Sequence, residues 1–153
     1  MLKIIVEDPR HVYPFNERAR DLRIQNKPLW LHQRDVLAPY THQELVVPYG
    51  SPLPQVGEAC IVYRDHLFFD SYYLQAFLEQ AQKRNHASRA AFHLQDAAFR
   101  EHALPLATSY TVQGDLYLAD LWYFPRGIEA DIEPLVIDLQ AKEVGYYHVP
   151  TYM

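Results

Sequence analysis

The residues best suited to chemistry are cations crowded near the start of the chain. They are Arg10, Arg18, Arg20, Arg23 and Lys27. A guanidinium group is flat and carries paired N–H donors, so it can bind a phosphate through two hydrogen bonds at once. The cluster therefore indicates an anion-binding loop. A solvated basic surface is the alternative, because spacing alone does not separate the two.

Other catalytic patterns are missing from the sequence. The eight histidines never recur at the i, i+4 spacing that places two imidazoles on one helical face for a metal. No Gly-x-Ser-x-Gly nucleophile motif occurs. The single cysteine, Cys60, lies in the apolar run Ala-Cys-Ile-Val-Tyr and is typical of a small buried hydrophobic residue. The sequence thus offers little support for a zinc enzyme or a hydrolase with a nucleophilic side chain.

The composition bounds the class of protein. With 153 residues, of which 49% are hydrophobic and 22% charged, the chain has enough apolar material for one globular domain over residues 1–153. The net charge of −5 argues against a nucleic-acid partner, which requires a basic face. A lone cysteine fits a reducing compartment, and the lack of a signal peptide or a long apolar run predicts a cytoplasmic protein without a membrane partner.

The spacing of apolar residues predicts alternating strands and helices. A strand at Leu2–Glu7 is followed by a long loop, and then by a helix with Asn26 as N-cap, Pro28 in its first turn and its end near Leu37. A second helix begins at Asp70 or Ser71 and closes at residues 83–85. The remaining expectations are strands at 44–48, 59–64, 88–94, 107–113, 116–124, 135–139 and 146–149, and a short helix at 95–102.

This order of elements predicts the fold class. Strand, helix and strand in succession are typical of a parallel sheet covered by helices. Gly114 and Asp115 separate two late strands and suit a tight hairpin turn. We therefore expect a three-layer, Rossmann-like α/β domain with a mainly parallel sheet and an added antiparallel hairpin. Ligands of such sheets bind beyond the carboxyl ends of the strands, which here are the loops after Glu7 and Arg64.

Two motifs in these loops resemble the sugar-phosphate nucleotidyltransferases, also called nucleoside-diphosphate-sugar pyrophosphorylases. Asn-Lys-Pro-Leu at 26–29, before a helix that holds His32, is similar to the family's Lys-Pro pair after the phosphate loop. Ile-Val-Tyr-Arg-Asp at 61–65 is similar to the family's apolar strand that ends in a metal-binding aspartate. Residues 118–125 resemble more loosely the strand that displays sugar-binding residues, so the resemblance spans about residues 2–125.

The resemblance implies a reaction and a set of roles. The reaction joins a sugar 1-phosphate to a nucleoside triphosphate and releases pyrophosphate. Asp65 would hold Mg²⁺, while Lys27 and Arg23 would offset the charge that develops during transfer. Lys27 is the substrate-binding residue that the resemblance implies. The other candidate substrate-binding residues are Arg18, Arg20 and Arg23, from the chemistry of the basic loop, and His32 on the helix.

The chain departs from the family pattern in its phosphate loop and its length. No glycine precedes Gly50, so the loop lacks the residues that let backbone N–H groups wrap a triphosphate. The resemblance therefore implies a shortened, divergent member. Two other functions stay open. The chain could be a non-catalytic domain that binds a nucleotide or a sugar phosphate. It could also be a partner-binding domain, which precedes a hexapeptide-repeat acyltransferase domain or forms a homo-oligomer. In those cases Lys27 and Pro28 only start a helix, and Asp65 only caps a turn.

Overall fold

The computed structural model describes residues 1–12, 17–93, 111–128 and 132–139. Within these ranges lie two α-helices, one 3-10 helix and eleven strands. In chain order they are β1 (Leu2–Glu7), β2 (His11–Val12), β3 (Glu17–Arg18), the 3-10 helix (Ala19–Asp21), β4 (Arg23–Ile24), β5 (Lys27–Pro28), α1 (Leu29–Leu37), β6 (Gln43–Pro48), β7 (Cys60–Arg64), α2 (Ser71–Arg84), β8 (Ser88–His93), β9 (Thr111–Gln113), β10 (Leu116–Phe124) and β11 (Leu135–Leu139).

Seven strands form the main sheet, in the order β11-β8-β10-β7-β1-β6 with β9 paired to β10. β1 is parallel to β6 and β7, and β8 is parallel to β11. β10 is antiparallel to β7, β8 and β9, and Gly114 takes a φ of 60° in the turn between β9 and β10. The predicted α/β class, with a mainly parallel sheet and an antiparallel hairpin, is confirmed.

The core lies on both faces of this sheet, because successive side chains of a strand point to opposite sides. On one face, Ile61 and Tyr63 of β7 pack with α2 and the end of α1. On the other face, Cys60 and Val62 pack against Val56 of the loop between β6 and β7. The sheet therefore separates a helical layer from a layer of loop segments.

Helix α2 forms where the sequence predicts it. The Asp70 carboxylate caps its first turn by accepting a hydrogen bond of 2.9 Å from the Tyr73 N–H. Asn85 ends it in the left-handed conformation, with a φ of 49°. Leu74 and Phe77 are fully buried on its inner face, and each stabilises the fold by about 1.5–3 kcal/mol through burial.

The predicted N-cap of α1 is wrong. Pro28 occupies the cap position, and no side chain bonds to the first turn. Asn26 instead lies in the turn of the β4–β5 hairpin, where Gln25 and Asn26 have φ values of 54° and 68°. Two successive residues with positive φ are typical of a tight hairpin turn, which asparagine tolerates better than most residues.

Several sequence expectations lie partly or wholly outside the described residues. They are the helix at 95–102, the strand at 146–149 and the first part of the strand at 107–113. Among the described helices, none is both long and apolar enough to cross a bilayer.

Candidate functional site

The ends of β1 and β7 are joined by a pair of hydrogen bonds around Asp65. The Asp65 N–H donates to the Val6 carbonyl at 3.0 Å, which continues the parallel ladder by one residue. The Asp8 N–H in turn donates to Asp65 Oδ1 at 2.9 Å. These contacts hold one buried carboxylate at the carboxyl edge of the sheet, where ligands of parallel sheets bind.

Asp65 lines a cavity of about 280 Å³ on the helical face, which we call the Asp65 cavity. β1, β6, β7, α1 and the 3-10 helix supply its walls. The lining residues are Lys3, Ile5, Arg20, Trp30, Gln33, Arg34, Glu44, Val46, Tyr63 and Asp65. Three cations and two carboxylates therefore face one another across a small volume.

The cations of this cavity are held by acids and by an aromatic ring. Arg20 lies 3.5 Å from Glu7, and Lys3 lies 3.0 Å from Glu44. The guanidinium carbons of Arg20 and Arg34 lie 6.0 Å and 5.6 Å from the centre of the Trp30 ring. A cation at that distance is attracted to the face of an indole. The ring therefore keeps two guanidinium groups at the rim of the cavity.

The Asp65 carboxylate is incompletely satisfied. Its Oδ2 atom is buried and accepts no hydrogen bond from the residues that the structure describes. Burial raises the pKa of Asp65 to about 6, although the Asp8 N–H and the nearby Arg20 and Arg18 guanidinium groups favour the charged form. An acceptor without a donor costs free energy in a folded protein, and such atoms are often completed by a ligand or water.

Gln33 fixes α1 against the loop that carries Asp65. Its side chain is 1% exposed, and Nε2 donates to the carbonyl oxygens of Asp65 at 3.1 Å and Leu67 at 2.8 Å. The two bonds satisfy backbone groups that the end of β7 leaves unpaired. Gln33 thereby sets the distance between Trp30 on α1 and the strand ends.

The structure brings together three of the residues predicted from sequence and separates the others. Arg20 and Asp65 line the same cavity, and Arg18 lies beside them, 3.8 Å from Glu7. The Nε atom of Arg18 is also buried without a hydrogen-bond partner in the described part of the chain. These three residues form the basic and acidic poles of the site.

Arg23, Lys27 and His32 lie outside the Asp65 cavity. The exposed Arg23 donates to the Asn26 carbonyl at 2.8 Å, and Lys27 forms an ion pair with Asp35 on α1. His32 Nε2 donates to the Ile24 carbonyl at 2.6 Å. All three contacts attach the β4–β5 hairpin to itself or to α1.

These protein groups do not by themselves fit Mg²⁺. In the described ranges no cluster of three or more His, Cys, Asp or Glu side chains is placed to hold a metal. The Asp8 carboxylate already accepts from Arg64 and Arg10, and Glu7 pairs with arginines. Asp65 is left with one oxygen, whereas Mg²⁺ takes octahedral oxygen coordination and would need most ligands from water or substrate.

A second charged group at the strand ends was missed by sequence reasoning. Arg64 bonds Asp8 at 2.8 Å and Asp120 at 3.4 Å, and Asp120 also bonds His66 at 3.0 Å and Arg89 at 3.0 Å. The sequence carries a signal for this group, because Arg64 ends one otherwise apolar segment and Asp120 interrupts another. Buried charges in such positions must be paired.

Comparisons with known proteins leave the family open. No protein-family model matches the chain, and no curated protein matches it. Among solved structures, the chain is similar to a 4-diphosphocytidyl-2C-methyl-D-erythritol synthase from Anaerococcus prevotii, with 8% identity, a TM-score of 0.48 and 95% of each chain covered. So low an identity and TM-score do not assign a reaction.

Proposed function

We propose that this chain is a nucleotidyltransferase-like domain that binds a phosphorylated small molecule, a nucleotide or a sugar phosphate, in the Asp65 cavity. The observation that carries the proposal is that Arg20, Arg34 and Lys3 line the same cavity as the buried Asp65 carboxylate, which lies at the carboxyl ends of β1 and β7. Arginine side chains with flat faces and paired donors suit a phosphate.

A sugar phosphate matches both poles of the cavity. Its phosphate would accept hydrogen bonds from Arg20 and Arg34, in competition with Glu7 and Asp35. A sugar hydroxyl would donate to Asp65 Oδ2, the buried acceptor that lacks a donor among the described residues. The second contact would distinguish a sugar phosphate from inorganic phosphate, because only the sugar phosphate carries hydroxyl groups separate from its phosphate.

Nucleotidyl transfer is a second candidate, favoured by the placement of Asp65 at the end of β7. In that reaction an oxygen of the sugar 1-phosphate attacks the α-phosphorus of a nucleoside triphosphate, and the bond to the β-phosphate breaks to release pyrophosphate. Binding is the stronger proposal, because the loop before Gly50 has no glycine to form a backbone phosphate nest, and Lys27 is engaged with Asp35.

Thermal unfolding tests the binding proposal. The protein is heated alone and with nucleoside triphosphates, sugar 1-phosphates, nucleotide-sugars or inorganic phosphate, each with and without Mg²⁺. At about a hundredfold above the dissociation constant, a ligand specific to the native state adds about 2.7 kcal/mol, which shifts the midpoint by several degrees.

Tryptophan fluorescence shows at which cavity a ligand binds. The chain has two, Trp30 in the Asp65 cavity and Trp122 on the other face of the sheet. In Trp122→Phe, emission from Trp30 alone should change with a bound sugar phosphate. An unchanged midpoint and unchanged Trp30 emission with every ligand would reject the proposal. Pyrophosphate release from a triphosphate and a sugar 1-phosphate would instead favour the transfer reaction.

A further inference from the structure

A second cavity lies on the loop face of the sheet, opposite the Asp65 cavity. It has a volume of about 400 Å³, and we call it the Trp122 cavity. Its floor is formed by β1, β7 and β10, and its wall by the loop after β6. The lining residues are Val6, Tyr49, Gly50, Ser51, Leu53, Val62, Arg64, Asp120, Trp122 and Phe124.

The loop wall is held at both ends. The Tyr49 N–H donates to the Glu7 carbonyl at 3.0 Å, and the Ser51 N–H donates to the Pro48 carbonyl at 3.1 Å. Farther along, Val56 lies so close to Gly127 that a Cβ on residue 127 would overlap the Val56 carbonyl oxygen. Backbone contacts therefore fix the loop that forms the wall of the cavity.

The charges at one end of the cavity are paired with each other. Arg64 lies between Asp8 and Asp120, and Asp120 also accepts from Arg89 at 3.0 Å. The Arg64 side chain is 7% exposed and that of Asp120 is 16% exposed. An ionic ligand would have to break one of these buried pairs, which is costly. This arrangement favours an uncharged ligand.

The rest of the lining is apolar and aromatic. Three aromatic residues line the cavity: Tyr49, Trp122 and Phe124. The Arg64 guanidinium lies 4.0 Å from the Tyr49 ring centre, and Arg89 lies 4.7 Å from the Trp122 ring centre. Aromatic pairs add about 0.5–1.5 kcal/mol beyond area burial, so rings in the wall favour a ring in the ligand.

We propose that the Trp122 cavity is a second binding site, which takes an uncharged planar aromatic molecule. Its volume lies within the range of small-molecule pockets, whose walls are mostly apolar with a few fixed polar groups. This site is distinct from the one proposed for the phosphorylated ligand, because the Trp122 cavity has a different lining and opens on the other face of the sheet.

Fluorescence of the full chain carrying Trp30→Phe tests this site, because Trp122 is then the sole tryptophan. Benzamide is the probe. Benzoate and benzylamine are its charged counterparts, and cyclohexanecarboxamide is its non-aromatic counterpart. We expect benzamide to change Trp122 emission saturably below roughly 10 mM, the range of fragment-sized ligands, and to bind at least about tenfold more tightly than the other three.

A matched pair of variants locates the binding. Leu53→Glu places a carboxylate in the wall and should weaken benzamide binding at least about tenfold, whereas Leu45→Glu alters an equally exposed leucine on β6, outside the cavity, and should leave it unchanged.

Four outcomes overturn the proposal: no saturable change with benzamide, equal binding of a charged counterpart, equal binding of cyclohexanecarboxamide, or equal loss in both variants. Sedimentation of the unliganded chain adds a fifth. Self-association that Leu53→Glu abolishes would show that a second copy covers the cavity. Trp30 emission in Trp122→Phe reports on the Asp65 cavity separately, so failure of one proposal is distinguishable from failure of the other.

Discussion

Arg64 and Asp65 are neighbours in the chain, yet they line cavities on opposite faces of the sheet. Arg64 is bonded to two carboxylates, while Asp65 keeps a buried oxygen without a donor in the described part of the chain. The charges of the Trp122 cavity are thus paired in buried positions, whereas the Asp65 cavity keeps one buried carboxylate oxygen without a donor among the described residues. This difference is the basis for proposing an ionic ligand on the helical face and a neutral one on the loop face.

Asp8 connects the two regions. Its N–H donates to Asp65 Oδ1, and its carboxylate accepts from Arg64. The backbone N–H of Asp8 thus orients the Asp65 carboxylate, while the Asp8 side chain holds the Arg64 guanidinium. Four substitutions, each with a control, test this difference between the two cavities.

Arg64→Met should have the largest effect. It leaves Asp8 and Asp120 with one fewer cation in a buried position, so we expect a loss of about 3 kcal/mol in the free energy of unfolding, measured by urea denaturation. Arg126→Met is the control. Arg126 is exposed and bonds only Asn85 among the contacts seen, so its loss should stay within about 0.5 kcal/mol. Equal losses would refute the special role of Arg64.

Gly127→Ala should disturb the loop wall of the Trp122 cavity. The φ of Gly127 is 93°, and a Cβ there would overlap the Val56 carbonyl, so we expect a cost of about 2–3 kcal/mol. Gly114 has a φ of 60° and open space around it, so Gly114→Ala should lower the free energy of unfolding by only about 1 kcal/mol. Thermal unfolding of both compares them, and benzamide binding should weaken in Gly127→Ala alone.

Asp65→Asn should stabilise the protein at neutral pH. The folded-state pKa of Asp65 is raised from 3.8 to about 6, so ionisation opposes folding. This cost is absent below pH 3.8, where both states are protonated, grows from pH 3.8 to about 6, and is complete above that. After allowance for screening by the nearby arginines, we expect a gain of about 1–2 kcal/mol at pH 7.5 and none at pH 3.5.

The control for that pH series is Asp115→Asn, which changes an exposed carboxyl in the β9–β10 turn. A gain in Asp65→Asn that is the same at both pH values would contradict the assignment of a raised pKa.

Arg20→Gln and Lys27→Gln compare two cations of the same basic segment. Both cations pair with an acid, but only Arg20 lines the Asp65 cavity. A charge-assisted hydrogen bond to phosphate contributes enough that Arg20→Gln should weaken sugar-phosphate binding about tenfold, while Lys27→Gln leaves it nearly unchanged. Titration calorimetry measures both. The reverse order would return the anion site to Lys27, as the resemblance implies.

Much of the fold could be predicted from the sequence. β1, β10 and β11 lie where apolar periodicity places them, and Asp70 caps α2 as expected. The failure at Asn26 has a local cause: asparagine suits a helix cap and a left-handed turn equally well, and the hairpin uses the second property.

The site was predicted only in part. Arg18 and Arg20 were expected as members of the basic loop after Glu7, and Asp65 was expected from the family resemblance of residues 61–65. Their binding roles remain predictions. Arg23 and Lys27 could not be separated from them, since all belong to one basic stretch and differ only in which acid or carbonyl they reach.

Local patterns were enough to predict the longer strands, the two α-helices and the edge of the sheet at which charges collect, because periodicity and capping act over a few neighbouring residues. They did not predict the short strands and the 3-10 helix between β1 and α1, where the sequence indicates a loop. Which charges are paired depends on contacts between residues far apart in the chain. Arg64 meets Asp8 and Asp120 across 56 residues in each direction, and parallel pairing of β1 with β7 brings the Asp8 N–H to Asp65. Side chains alternate between the two faces of a strand, so Arg64 and Asp65 are buried on opposite faces. Arg64 is there bonded to two carboxylates, whereas Asp65 Oδ2 accepts no hydrogen bond from the described residues.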